Sequence, residues 1–276
     1  MNNGGISESS AERAVVRWLF QPLAPGPCSL FRGLLAVFLV FAYWPRGLEL
    51  RPHLLEVPGL AWLYGQVVLT LPYHLLLGAL VLLFGLGWSR RWAGVLLAAL
   101  LTPLTFLDEG NQSRQVLVFV TCCASLLPTV SRGWSGQSRP MVGPAWPLRL
   151  IQLQLTVLYG INALFKATPS FMSGEVLVGL SGMDSFHADL SDGFLHLGAL
   201  AIPVWLLGTG AVLVEGWLAI GFWIRRLRVA TAVIGVLFHL MLSVVMTIFM
   251  LDYVSCFLYL AFLLPMVPAR FSSTTS

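Results

Sequence analysis

The chain alternates between long apolar runs and short polar gaps. Eight runs stand out: Leu30–Trp44, Val67–Trp88 (with an interfacial prelude from Leu60), Trp92–Leu107, Val116–Val130, Leu148–Phe165, Ile202–Trp223, Val229–Phe249 and Tyr253–Pro268. Several approach the ~20 apolar residues that a helix needs to cross a hydrocarbon core. In that medium a helix satisfies its own backbone hydrogen bonds, which an open sheet cannot do. The pattern predicts an all-α, polytopic transmembrane bundle of about eight spans, within a range of roughly seven to nine. The turn near Asp252 is very short, so the last two runs also read as one kinked hairpin. Residues 1–27 form a polar, Pro/Gly-rich tail without the short apolar core of a signal peptide, and the first run is expected to be a retained anchor. The transmembrane domain is placed at 28–270 and a short C-terminal tail at 271–276.

Composition agrees with that pattern. The chain is 57% hydrophobic and 10% charged, with a mean hydropathy of +0.82, whereas soluble domains carry about 25% charged residues. The net charge of +4 does not argue for nucleic acid, because the arginines cluster in particular gaps. Arg13 and Arg17 precede the first run, Arg90 and Arg91 follow the second, and Arg132, Arg139 and Arg149 surround the connection from the fourth to the fifth. Arg225, Arg226 and Arg228 lie between the sixth and seventh, and Arg270 follows the eighth. The alternate gaps are mixed or acidic. Positive residues favour the cytoplasmic side, so both termini are expected there. The four cysteines, Cys28, Cys122, Cys123 and Cys256, lie in or near apolar runs and read as core packing.

Three ionisable residues inside or at the end of apolar runs need an explanation: Lys166, which is the single lysine, Glu215 and His239. A charge at mid-bilayer costs ~3 kcal/mol or more, so such groups face the bundle interior and find partners. Glu215 and His239 are each twelve residues from Leu227, hence both roughly 15 Å from the cytoplasmic end of an antiparallel hairpin. A Glu215–His239 hydrogen bond is therefore expected, as a lock between two helices or as a proton relay. Lys166 lies seventeen residues beyond Arg149, ~25 Å toward the outer side. On that count a direct Lys166–Glu215 contact is not expected. Lys166 itself reads either as an interfacial lysine snorkelling to headgroups or as a sheltered amine able to act as a base. The polar cluster Asp108–Arg114, with Lys166 and Asp252, lines an outward cavity or is a solvated loop. Arg32 is assigned to anchoring at the cytoplasmic headgroups. Between Ala167 and Gly198, Phe171, Met172, Val176, Leu177 and Leu180 suggest one short amphipathic surface helix. His187 and His196 are nine apart, a spacing that does not share a helix face, and no metal site is expected.

The stretch QLQLTVLYGINALFKATPSFMSGEVL resembles the signature of the vitamin K-dependent gamma-glutamyl carboxylase superfamily, whose membrane part is the HTTM domain. Tyr159, Lys166 and Gly174 match its tyrosine, lysine and glycine. SLFRGLLAV, FGLGWSRRWAGVLLAALL, VEGWLAIGFW and VLFHLMLSVVMTIF are similar to further segments in the same order, so the likeness runs along nearly the whole chain. In the carboxylase the lysine deprotonates vitamin K hydroquinone, oxygen turns the quinol into a stronger base, and carbon dioxide adds to the resulting glutamyl carbanion. An amine of ordinary pKa, about 10.4, stays protonated at neutral pH, and desolvation moves an amine toward neutrality. The resemblance thus implies Lys166 as the catalytic base, with Asn111, Gln112, Tyr159, Glu215 and His239 supporting it or binding substrate. It implies reduced vitamin K or menaquinone with O2 and CO2 as cofactors. Departures are also plain. Gln112 stands where the family has a histidine after Asn111, Phe171 where a tryptophan is common, and Ser135-Gly136-Gln137 where Ser-x-Asp is usual. The carboxylase carries a large globular region after its membrane part, and nothing in this sequence reads as a grip for a propeptide.

Two readings follow. One is an enzyme using Lys166 on a lipid quinol, for oxidation or epoxidation coupled to carbon-acid deprotonation or carboxylation. The other is a non-catalytic membrane protein that binds lipid, quinone or a partner subunit. Transport is disfavoured, since no internal repeat or matched pair of broken spans is visible. The arginine-biased loops point to a bacterial inner membrane, with membrane lipid as the surrounding partner.

Overall fold

The computed structural model describes residues 10–43, 71–87, 90–106, 112–128, 130–132, 138–140, 142–183, 186, 188–246 and 249–264. The protein is mostly helical and divides into two compact units. The first comprises Met1–Gly110, Arg114–Ile151 and Val267–Ser276; the second comprises Asn111–Ser113 and Gln152–Met266.

The first unit opens with α1 (Ser10–Phe20), inside the stretch expected to be a plain polar tail. Glu12 in its first turn and Arg17 in its last complement the helix dipole. β1 (Pro22–Leu23) leads into α2 (Pro25–Tyr43), which starts on a proline, a residue tolerated in the first turn because the amide there has no intrahelical partner. Phe31, Leu35 and Leu39 recur at i, i+4 and i+8 and form the buried face of α2. α3 (Leu71–Leu86), α4 (Arg90–Phe106) and α5 (Gln112–Leu126) follow. Small residues let these helices approach closely: a Cβ on Gly85 would stand 2.8 Å from the Ala36 side chain. The Tyr73 hydroxyl donates to the Leu100 carbonyl, tying α3 to α4. Arg32 is 1% exposed with its guanidinium 5.9 Å from the Phe84 ring centroid. It is thus a core residue held over an aromatic face, which corrects the headgroup-anchor assignment. Two short ladders complete the unit, β2 (Val130–Arg132) with β3 (Ser138–Pro140), and β1 with β4 (Gly143–Pro144).

α6 (Trp146–Lys166) begins in the first unit and continues into the second. The second unit then contains α7 (Pro169–Met172), α8 (Glu175–Leu180), β5 (Phe194–Leu197), β6 (Leu200–Pro203), α9 (Val204–Gly221), α10 (Arg228–Val245), α11 (Phe249–Leu258) and α12 (Leu260–Leu263). By length and composition α6, α9 and α10 are long and apolar enough to cross a membrane, and Pro25–Val40, Leu71–Leu86, Arg91–Pro103, Gln115–Leu126 and Tyr253–Leu263 are shorter apolar helices.

Several boundaries differ from the sequence expectation. The single amphipathic helix after Ala167 is two, broken at Ser173-Gly174, where Gly174 takes a left-handed conformation (φ 86°). A β-hairpin, β5–β6, precedes α9 and takes Ile202 and Pro203 out of the sixth helix. It roofs a small core of Leu190, Leu195, Val204, Leu207 and Val245. The seventh run stops at Val245, since Met246 is extended and bridges Phe186. The break therefore falls before Asp252, which lies within α11, and the eighth run is itself interrupted at Tyr259. None of the four cysteines forms a disulfide, and Cys122 is exposed, so core packing describes Cys28 and Cys123 but not Cys122.

Candidate functional site

The site is built on α6. Tyr159 and Lys166 are seven residues apart, close to two full turns, so both project from one side of the helix. Gln152, a further seven residues back, donates from Nε2 to the Ala261 carbonyl at 2.7 Å and fastens the same face of α6 to α12.

Lys166 Nζ donates to Glu215 Oε1 at 2.7 Å, with the lysine side chain 33% exposed and the glutamate 4% exposed. This corrects the expectation that the two are too far apart. The depth count assumed that α6 and the α9–α10 turn are flush at one end. They are not: Trp223 Nε1 donates to Thr156 Oγ1 at 2.9 Å, so Thr156, and not Arg149, is level with the end of α9. From that level Lys166 is ten residues along α6 and Glu215 eight along α9, only ~3 Å apart in rise. Long side chains close the rest.

His239 pairs with Tyr159: the tyrosine hydroxyl lies 2.7 Å from His239 Nε2 and 2.5 Å from the Tyr259 hydroxyl. Tyr159, His239 and Tyr259 are all buried. Glu215 interacts electrostatically with His239 as well as with Lys166. The hydrogen bonds thus join Glu215 to Lys166 and His239 to Tyr159, in place of the expected Glu215–His239 bond. Tyr259 was not foreseen, because a tyrosine in an apolar run carries no periodic signal. Gly235 was not foreseen either: a Cβ there would stand 2.5 Å from the Tyr259 hydroxyl, so only glycine admits the ring.

The segment after Lys166 wraps back over the amine. Thr168 caps α7 by accepting from Phe171 N, with Pro169 at the first helical position. The Phe171 ring centroid then sits 5.8 Å from Lys166 Nζ, a cation–π contact. Close approach of backbones holds this cover in place. A Cβ on Gly174 would meet the Val204 carbonyl carbon at 2.7 Å, Gly208 leaves room for the Phe171 carbonyl, and Thr209 Oγ1 donates to Met172 O at 3.1 Å. Gly174 is thus needed for its positive φ and for its lack of a side chain.

Asn111 lies outside the described residues, as do Asp108, Glu109, His187 and Ser135-Gly136-Gln137. Gln112 opens α5, and its side chain is outside the described set. His196 Nε2 pairs with Asp192 Oδ2 at 2.6 Å on the exposed hairpin.

Glu215 Oε2 is buried and has no hydrogen-bond partner among the described residues. A carboxylate oxygen shielded from water in that way costs stability unless something donates to it.

Comparison with curated proteins and with solved structures gave no match. The HTTM domain matches residues 48–266, a span that holds Tyr159, Lys166, Gly174, Glu215 and His239. The chain therefore belongs to the HTTM domain family, the membrane domain related to vitamin K-dependent carboxylase, and its apolar helices are those of an integral membrane protein.

Proposed function

We propose that this protein is a membrane enzyme that handles protons for a lipid-soluble quinol, with Lys166 and Glu215 as one proton-holding unit. The observation that carries the reading is the 2.7 Å pair between a lysine at a helix end and a buried glutamate whose second oxygen lacks a donor among the described residues. A phenolic hydroxyl is the kind of group that satisfies such an acceptor. Reduced vitamin K or menaquinone, when bound, supplies the electrons and, with O2, the strong base for attack on a carbon acid, with CO2 as co-substrate if carboxylation follows. The residues of this chain do the rest. Glu215 Oε1 orients the Lys166 amine, Oε2 accepts from the ligand hydroxyl, and the Phe171 ring shields the amine from one side. Tyr159 and His239 share a hydrogen bond that can move a proton away from the same face of α6. Asn111 and Gln112 complete the reading as substrate contacts. About eight spans, with cytoplasmic termini in a bacterial inner membrane, put the Lys166 end of α6 on the outer side.

The test is incubation of purified protein with reduced menaquinone or vitamin K and oxygen, comparing wild type with Lys166→Ala. Epoxide formed by wild type alone supports the reading. Equal epoxide from both, or none from either, removes it.

One observation favours a second reading, a non-catalytic binder of lipid, quinone or a partner subunit. The Lys166–Glu215 pair also fastens α6 to α9, a sufficient structural role by itself. In that case Lys166→Met with Glu215→Leu restores stability together with all measurable binding.

A further inference from the structure

α1 is an 11-residue helix whose positions split into two unlike faces. Trp18 and Leu19 are half-buried, and Trp18 is covered by the Arg149 guanidinium, 5.0 Å from its ring centroid. The β1–β4 ladder pairs Pro22 with Pro144 and Leu23 with Gly143, fixing the exit of α1 beside the start of α6. Trp18 and Leu19 thus hold the helix to its own unit, while Val15, beside them on the helix, stays 53% exposed. The other side carries Arg13, Val16, Arg17 and Phe20. These four are related by i+3 and i+4 steps and form one patch. All four are exposed, Val16 by 53% and Phe20 by 59%. A hollow of about 710 Å³ lined by Ser10, Arg13, Ala14, Arg17, Trp18 and Gln21 runs alongside.

Two arginines beside two large apolar side chains form an unusual surface for water. They suit the boundary of an anionic bilayer, where the apolar groups enter the acyl region and the guanidinium groups meet phosphate. The next helix, α2, is one of the apolar helices, so α1 is tethered four residues, Gln21–Ala24, away from the membrane-embedded chain. We infer that α1 lies flat on the bilayer and binds anionic lipid headgroups through Arg13 and Arg17, with Val16 and Phe20 seated in the acyl boundary. Arg149 clamps the helix in that orientation by holding Trp18 on the protein side. Lipid binding of this kind does not depend on the chemistry at Lys166.

The test is amide hydrogen exchange across residues 10–20 of the full chain, reconstituted in nanodiscs of pure phosphatidylcholine or of phosphatidylcholine with phosphatidylglycerol. We expect exchange at least fivefold slower in the anionic discs. Arg13→Gln with Arg17→Gln should abolish that difference, and Arg13→Lys with Arg17→Lys should largely restore it. Equal exchange in the two lipids overturns the inference. So does anionic protection that survives the glutamine variant, or a lysine variant that behaves like the glutamine one. The far-UV circular dichroism of each variant in phosphatidylcholine discs controls for loss of fold.

Discussion

Thr156 and Trp223 are joined by a 2.9 Å hydrogen bond, and that bond sets the register of α6 against α9. Because the two helices are offset, Lys166 and Glu215 meet at 2.7 Å although a count from the loop arginines separates them.

The pair has a measurable energetic signature. Lys166→Ala leaves a carboxylate that is 4% exposed without its cation, which is expected to cost about 3 kcal/mol in detergent or nanodisc unfolding. Glu215→Gln should cost less, since the amide still accepts from the amine and the lysine is 33% exposed. Lys166→Met with Glu215→Leu should recover most of the loss, because no charge is left to shelter. A double variant as unstable as the sum of Lys166→Met and Glu215→Leu measured singly would show that the two side chains are not coupled.

The Tyr159 hydroxyl lies 2.7 Å from His239 Nε2 and 2.5 Å from the Tyr259 hydroxyl. Tyr159→Phe keeps the ring but takes a hydrogen bond from both His239 and Tyr259, at an expected cost of about 1–3 kcal/mol. Thermal unfolding in lipid against wild type checks the cost, and a Tyr159→Phe variant as stable as wild type would contradict the arrangement.

The glycines should differ sharply from one another. Gly174→Ala forces a side chain into a φ of 86° and against the Val204 backbone at 2.7 Å, an expected loss of about 2 kcal/mol or more. Gly235→Ala meets the Tyr259 hydroxyl at 2.5 Å and should displace that ring. A methyl group on Gly216 of α9 would find nothing within 4 Å, so Gly216→Ala should be neutral or stabilise by up to about 1 kcal/mol. Equal effects at Gly174 and Gly216 would remove the packing argument.

The exposed hairpin should respond to acid. The Asp192 carboxylate is held below the usual carboxylate range, first by its hydrogen bond to His196 and then by the Phe194 N–H. A carboxylate depressed by folding adds stability above its unfolded pKa and loses it as pH falls through the folded value. Amide exchange at Phe194 should therefore quicken, beyond its intrinsic pH trend, only below the ordinary carboxylate range. Asp192→Asn should flatten that dependence.

Much of this protein is legible in its residues alone. Apolar runs of near-spanning length, and arginines confined to particular gaps, point to a helical membrane protein because hydrocarbon leaves the backbone few other ways to pair its polar groups. The Tyr-Lys-Gly spacing of Tyr159, Lys166 and Gly174 led to the HTTM family, and burial of Glu215 and His239 follows from charge in an apolar run. Partner choice was a different matter. A helix repeats its geometry locally, so sequence determines which residues share a face, but the slide of one helix past another depends on packing between segments far apart in the chain. The Thr156–Trp223 bond, the fold-back of Phe171 over Lys166 and the glycines at 174, 208 and 235 decide that slide. Only tertiary packing could therefore hand Glu215 to Lys166 and His239 to Tyr159, since an offset of a few ångströms along α6 changes which side chains can touch.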